Sequence, residues 1–252
     1  MATTDVVRQD EERAPLHGGG GVAKRAFVRD MFSAIAPRYD LLNHLLSFNV
    51  DRHWRRRALR ELNWERAPAG LYVDLCAGTL DVASALSRRA GFAGRVIGAD
   101  FAEPMLRAGR AKVARAVVSP VVADALELPL ADAMAAGAIV AFGIRNVSDL
   151  DAALREVWRV LDRGARFVIL EFTTPRTRLV RALYQFYFHR VLPFIGGVVS
   201  GHRAAYRYLP ASVARFPEER ELGARMRAAG FADVRWTSLT LGIAAIHVGV
   251  KP

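Results

Sequence analysis

The sequence predicts a doubly wound α/β body behind an N-terminal helical cap. Three observations carry that prediction. Short, near-continuous apolar runs recur between residues 71 and 172, amphipathic stretches at helical spacing alternate with them, and two strand-like runs close the chain after a last helix. Apolar strands alternating with helices mark a parallel sheet covered on both faces. The two terminal runs would add an antiparallel hairpin to its edge.

Residues 1–23 are polar, carry Pro15 and end in a glycine run, so they read as a disordered tail. The rest of the 252 residues reads as one domain, against a prior of roughly 150 residues per domain. In the cap, 24–66, Phe27, Met31 and Ile35 and then Leu41, Leu42, Leu45 and Leu46 recur at helical spacing, with a break at Pro37. Asp51 looks like the N-cap of a helix reaching Leu62. The core, 70–175, reads as strand Leu71–Leu75, helix Asp81–Arg89, strand Arg95–Ala99 and helix Glu103–Ala116, with Pro104 in the first turn of the latter. Strands Val117–Ala123 and Ala138–Phe142, helix Leu150–Leu161 and strand Ala165–Phe172 follow. Residues 176–216 form an aromatic-rich lid region holding Leu183, Phe186, Tyr187, Phe188, Leu192 and Phe194. Within 217–252, helix Pro217–Ala229 ends at Gly230 and precedes strands Phe231–Leu239 and Ile243–Val250.

A chain that is 52% hydrophobic and 24% charged is neither wholly disordered nor collagen-like. Its 36 Lys and Arg against 25 Asp and Glu give a net charge of +11, which raises nucleic acid, an anionic membrane surface or a phosphate ligand as partners. The arginines are spread over the whole body and no RNA-reading motif is present, so no nucleic-acid partner is expected. The single cysteine, Cys76, excludes a disulfide scaffold and points to a reducing compartment. No apolar run approaches the ~20 residues that span a bilayer, and the N-terminus lacks a signal-peptide layout. The expected location is cytoplasmic, with any membrane contact peripheral and at the inner face. No metal site is expected.

In an open α/β sheet, ligands bind at the carboxyl ends of the strands. The first strand there runs through Asp74 and Leu75 and turns at Cys76, Ala77, Gly78 and Thr79 into a helix. Asp100 ends the second strand, near the spacing at which an acid takes a ribose hydroxyl, and Asp124 follows the third. A pyrophosphate would call for G-x-G-x-x-G, but only Gly78 is present, and Asp74 and Asp81 flank the loop. Carboxylates repel phosphate and suit an adenosine ligand with a cationic sulfonium. The competing reading is an ordinary strand-to-helix connection capped by Thr79.

Four blocks in order now carry a specific resemblance. They are the cap (Phe32, Ala36, Arg38, Tyr39, Asp40, Asn43, Ser47, Arg52, Trp54, Arg55), the loop with Asp100, the run Ala141–Asp149 (AFGIRNVSD), and a C-terminal set from Glu171-Phe172 through Tyr206, Tyr208 and Phe216-Pro217 to Gly242-Ile243-Ala244. From about residue 26 to 251 the chain resembles the ubiquinone/menaquinone biosynthesis C-methyltransferases (UbiE/MenG type) of the class I S-adenosylmethionine-dependent superfamily. The resemblance implies a Rossmann-like fold with a mostly parallel seven-stranded sheet. It implies S-adenosylmethionine as cofactor and carbon methylation of a lipophilic quinol ring.

It also implies roles for individual residues. Gly78 and Thr79, in the loop with Asp74, Cys76 and Ala77, would meet the methionine part. Asp100 with Phe101 would hold the ribose, and Asp124 with Ala125 the adenine. Ala141 would join the cofactor side, while Arg145 and Asn146 would face the acceptor pocket, where Arg145 could stabilise a phenolate. Tyr39, His53, His189 and His202 are candidate bases by type. Ala77 and Leu80 replace two glycines of the family's loop, Ala141 a serine, Ala135-Ala136 a Phe-Asp, and Asn49 and Asp51 a Gly and a His. A left-handed backbone at position 80 would strain a leucine there, or its side chain would obstruct the ligand. A relative repurposed for another metabolite, with altered or lost cofactor use, is the alternative. The Arg- and aromatic-rich stretch from Arg178 to Tyr208 reads either as a surface lying in lipid headgroups or lining a tail groove, or as a homodimer face.

Overall fold

The computed structural model describes residues 21–40, 47, 49–187, 190 and 203–252. The tail to residue 20, Leu41 to Leu46, Phe188, His189, Leu192, Phe194 and His202 lie outside the described residues. Helix α1 (Val22–Ile35) is followed by a 3-10 turn at Pro37, and α2 (Val50–Glu61) completes the described cap. Alternating strands and helices follow: β1 (Leu71–Leu75), α3 (Asp81–Ser87), β2 (Arg95–Asp100), α4 (Glu103–Gly109) and β3 (Val118–Val122). Then come β4 (Ala135–Ala141), α5 (Leu150–Val160) and β5 (Leu161–Phe172). The last third holds α6 (Arg178–Phe186), α7 (Arg203–Arg215), α8 (Glu219–Ala228), β6 (Ala232–Leu239) and β7 (Ala244–Val250).

The seven strands lie in the order β3-β2-β1-β4-β5-β7-β6. β7 pairs antiparallel with both β5 and β6. The terminal hairpin thus extends the β5 edge as expected, with β6 outermost and β7 returning between β6 and β5. The core lies in two layers. On one face, Leu59 of α2, Leu62 at its end, and Val82 and Leu86 of α3 pack on Val96, Ile139 and Val168. On the other, Leu154 and Val157 of α5 and Leu222 and Met226 of α8 pack on Val73, Val140 and Phe167.

Several boundaries move for local reasons. Helix α2 starts from Asn49 in the left-handed region, so Asp51 is not the N-cap. Asp51 sits buried in the first turn, accepts a bond from Ser47 Oγ and pairs with Arg55, where a carboxylate also meets the positive end of the helix dipole. Helix α4 stops at Gly109 and gives way to a 3-10 turn, well short of Ala116. β5 begins at Leu161 because that residue pairs with Ala135 across an irregular register, which the polar Asp162–Gly164 stretch hides from the apolar pattern.

The leucine that replaces a loop glycine at position 80 has a steric solution. Leu80 is left-handed (φ 64°, ψ 24°), yet its side chain is fully buried in the α3 layer. Room for it comes from Gly98 on β2, where a Cβ would stand 2.4 Å from Leu80 Cδ2. Gly109 lets α4 pass over the Thr79 backbone, where a Cβ would come within 2.3 Å of the Thr79 carbonyl oxygen. Leu80 thus points into the core and leaves the strand ends open. Leu80→Gly would relieve about 1 kcal/mol of left-handed backbone cost but lose roughly 2–5 kcal/mol of buried leucine. The expected net is a destabilisation of roughly 1–4 kcal/mol by urea unfolding.

Candidate active site

Between β1 and β4 the sheet's connections leave for opposite faces, α3 to one side and α5 to the other. The cleft this leaves at the carboxyl ends opens into a cavity of about 660 Å³ including its mouth. Cys76 and Gly78 line it from the β1 loop, Asp100 and Phe101 from β2, Asp124 and Ala125 after β3, and Ala141, Phe142 and Asn146 after β4. Arg25, Phe32 and Tyr39 of the cap close it from above.

The loops are held close by polar bonds and by missing side chains. Asp100 is buried; its two carboxylate oxygens accept the Gly78 N–H and the Ala102 N–H, both at 2.8 Å. Burial raises its pKa, and those two N–H bonds act against the rise. A Cβ at Gly143 would stand 2.3 Å from Cys76 Cβ, so the β1 and β4 loops touch only because position 143 has no side chain. Cys76 and Phe142 at these loops both take positive φ, 51° and 64°, as does Leu80. Left-handed non-glycine residues cost free energy and concentrate where a site needs a special backbone. Burial and the nearby carboxylates raise the pKa of the Cys76 thiol, which stays protonated and behaves as an apolar wall.

The cap is pinned to the rim by charge. Arg25 pairs with Asp124, whose other oxygen accepts the Leu126 N–H at 2.9 Å. Lys24 donates to the Val147 carbonyl at 2.6 Å. Asp40 accepts from Thr79 Oγ1 and pairs with Lys112, which also reaches Asp81 at 2.7 Å.

Not every expected residue joins the cavity. Asp74 points away from it and accepts the Ala83 N–H at 2.9 Å, anchoring the start of α3. Thr79 is spent on Asp40, not on a helix cap, and Ala77 packs against the core. Arg145 does not face the cavity. Its guanidinium is buried against Glu171 at 2.8 Å, reaches Ser212 Oγ on α7 at 3.3 Å and lies over the Phe172 ring. His53 is exposed on α2 and lines no part of the cavity. Asn146 does face it, buried, with its side-chain oxygen lacking a hydrogen-bond partner. A buried orphan acceptor costs roughly 1–3 kcal/mol unless a ligand supplies the donor. The residues that sequence reasoning missed are Arg25 and Met105 at the rim, and Glu171 as the partner of Arg145. Nothing in the spacing of Arg25 distinguishes it from the many other arginines.

A seven-stranded sheet of this order, with β7 reversed and a cavity at the β1/β4 divergence, is the class I methyltransferase fold. Solved structures agree. One is a chain of the Haloferax volcanii complex between the Trm112 methyltransferase activator and a methyltransferase, with TM-score 0.62 at 20% identity over 88% of this chain and 97% of that one. Another is the Haemonchus contortus phosphoethanolamine N-methyltransferase 2 solved with S-adenosyl-L-methionine, with TM-score 0.57 at 14% identity over 78% of this chain and 52% of that one. Within that class, the chain belongs to the ubiE/COQ5 methyltransferase family, whose model matches residues 21–251. It is 52% identical over 224 residues to the demethylmenaquinone methyltransferase of Thermus thermophilus, covering 88% of this chain and all of the relative. It is 46% identical over 228 residues to the ubiquinone/menaquinone biosynthesis C-methyltransferase UbiE of Geobacter sulfurreducens, covering 89% of this chain and 88% of the relative.

The buried Asp74 makes stability depend on pH. Burial raises its pKa from 3.8 to about 7, although the Ala83 N–H pulls the other way. A raised folded-state pKa means that its stabilising contribution is complete below the unfolded value and is lost as pH rises through the folded one. Asp74→Asn keeps an acceptor for Ala83 and removes that loss. The variant is expected to be more stable than the native chain by roughly 1–3 kcal/mol at pH 8, the margin shrinking toward pH 4 in urea unfolding.

Proposed function

We propose that this methyltransferase uses S-adenosylmethionine to methylate a ring carbon of a lipophilic quinol, working at a membrane surface. The observation that carries the reading is the cavity's pairing of two acids, Asp100 and Asp124, with the orphaned Asn146 amide on the opposite wall. The names of the Thermus and Geobacter relatives support the quinone-type acceptor.

The residues fit the cofactor. Asp100, held by the Gly78 and Ala102 N–H groups, keeps lone pairs for the ribose hydroxyls. Asp124 and Ala125 would hold the adenine, with Arg25 giving up its ion pair as the base enters. The Gly78 backbone, open for want of a side chain, takes the methionine end. When bound, the cofactor supplies an electrophilic sulfonium methyl. No phosphate has to be accommodated, so the acids flanking the loop favour this ligand.

The chain's own contribution is mostly placement. Among the described residues no histidine lines the cavity. Asn146 accepts a hydrogen bond from a ring hydroxyl through its side-chain oxygen, shifting electron density toward the adjacent carbon. Phe32, Tyr39 and Phe142 hold the ring edge and exclude water. Holding two reactants in attack geometry accounts for ~7–11 kcal/mol in well-oriented systems. Arg145 serves as a strut: its buried pair with Glu171 ties the β4 loop to β5, and its bond to Ser212 ties it to α7.

Calorimetric titration with S-adenosylmethionine tests the cofactor, and no binding at millimolar concentration would reject it. Asp100→Ala should weaken that binding by roughly 10–100-fold, the value of hydrogen bonds to a charged acceptor. Asn146→Ala should leave cofactor binding within about twofold but lower quinol methylation by roughly tenfold or more, the cost of one hydrogen bond to the reacting group. Mass spectrometry of the quinol for one added methyl reads the activity.

A further inference from the structure

Large exposed apolar side chains are unevenly placed. Among the described residues, five of the six sit toward the carboxyl edge of the sheet: Val122, Leu179, Leu183, Phe186 and Leu241, with Met134 alone at the opposite edge. Three belong to α6 and fall on one face at spacings of four and three, with 70% of Leu179, 63% of Leu183 and 63% of Phe186 exposed. Leu241, 75% exposed, tops the β6–β7 turn, whose Gly242 lies beside Pro175 just ahead of α6. Exposed apolar stripes of this kind mark an interaction surface.

The other face of this end leads inward. Tyr184 of α6 and the adjacent Tyr187 pack with Met31, Phe32, Ile35, Tyr39 and Leu209 in a small cluster separate from the two sheet cores. Phe32 and Tyr39 of that cluster also line the cavity. The helix thus stands between solvent and the vestibule of the site, with an apolar surface on both sides.

The charge around it selects the partner. From Phe172 to Pro217 the sequence contains seven arginines and no aspartate or glutamate. Arg178 and Arg181 are exposed on α6, and Arg190 just beyond it. A cationic, acid-free segment with leucine and phenylalanine on its outer face matches an anionic lipid surface, where each cation near the headgroups adds about 1 kcal/mol.

We infer that α6 is the membrane-docking element: Leu179, Leu183 and Phe186 insert among the headgroups of an anionic phospholipid bilayer, and the tyrosine cluster beneath forms the entry path for a ring drawn from the lipid. The docking surface stands on the exposed residues and charge alone; its use as an entry path rests on the quinol reading above. A second copy of this chain would bury the apolar stripe but would bring arginine against arginine, unless an acidic patch faced it.

Cosedimentation of the full chain with vesicles is the test. The native chain should bind phosphatidylcholine vesicles containing phosphatidylglycerol and lose most of that binding on pure phosphatidylcholine or at high salt. Leu183→Glu combined with Phe186→Glu should weaken binding about tenfold or more. Arg178→Glu, which removes charge and no apolar surface, should weaken it less but measurably, while Met134→Glu should not. Unchanged melting temperatures establish that the variants fold, the substituted side chains being exposed. Native binding that the double variant retains, or no binding by the native chain, overturns the inference. So does a dimer seen by analytical ultracentrifugation that the double variant abolishes while vesicle binding is absent. Methylation of a tail-free, water-soluble quinol, read on the same proteins without vesicles, reports on the proposed reaction separately and should not differ between native and double variant.

Discussion

Two neighbouring parallel strands whose connections leave on opposite faces carry the chain apart beyond their loops, and this parting of β1 and β4, whose loops touch at Cys76 and Gly143, is the constraint from which the site follows. β1 delivers its chain to α3 on one layer and β4 to α5 on the other. The loops between them must bridge a cleft that neither layer of helices covers. The cap supplies the missing roof. That role explains why its polar contacts fall on the rim: Arg25 on Asp124, Lys24 on the Val147 carbonyl, Asp40 on Thr79 and Lys112.

Buried carboxylates do much of the positioning. Asp74 and Asp100 stand at the ends of adjacent strands, both desolvated and both satisfied by backbone N–H groups. Each ties a loop to a helix start, Asp74 to α3 and Asp100 to α4 through Ala102. Desolvation works against both charges; fixed N–H dipoles compensate for it at both, and the Arg55 charge helps at Asp74. Asp100 reaches the cavity and Asp74 does not, although the two share a residue type and a place at a strand end. The difference is one of height along the sheet: Asp74 pairs with Gly98, so Asp100 lies on the same face but two residues nearer the carboxyl end, where the cavity opens.

The body of the sheet was legible because its strands are uninterrupted apolar runs, and a parallel sheet covered on both sides demands them. The exchange at the sheet's edge was not. Nothing in the Phe231–Leu239 and Ile243–Val250 runs says which one lies inside; β7, fully apolar along most of its length, takes the covered position and β6, with Arg235 exposed, the outer one. The acids at the strand ends were legible from position alone. The state of Leu80 was only half so: the left-handed backbone follows from the loop, but the escape of the side chain into the core depends on Gly98, eighteen residues later in another strand. Arg145 shows the same limit. Its place in a distinctive run marks it as important, while its partner Glu171 and its contact with Ser212 come from elements distant in sequence.

Charge links the interior of this protein to its surface. The net charge of +11 is not evenly useful, because many acids are already engaged. Asp40, Asp51, Asp81, Asp124, Glu171 and Glu219 all sit in ion pairs with Lys or Arg. Pairs such as Arg145–Glu171 neutralise one another inside and contribute no field outside. One stretch has no acid of its own: between Phe172 and Pro217 the sequence holds seven arginines and no aspartate or glutamate, although Arg176 pairs with Glu219 beyond it. An acid there would serve folding little, since α6 contributes no fully buried side chain. An acid-free arginine segment around an exposed apolar helix is therefore better explained by what it meets than by what it packs against. Its placement at the carboxyl edge of the sheet puts that meeting surface on the same side as the cavity, so the same topological divergence that opens the site also fixes the direction from which a lipophilic ring would arrive.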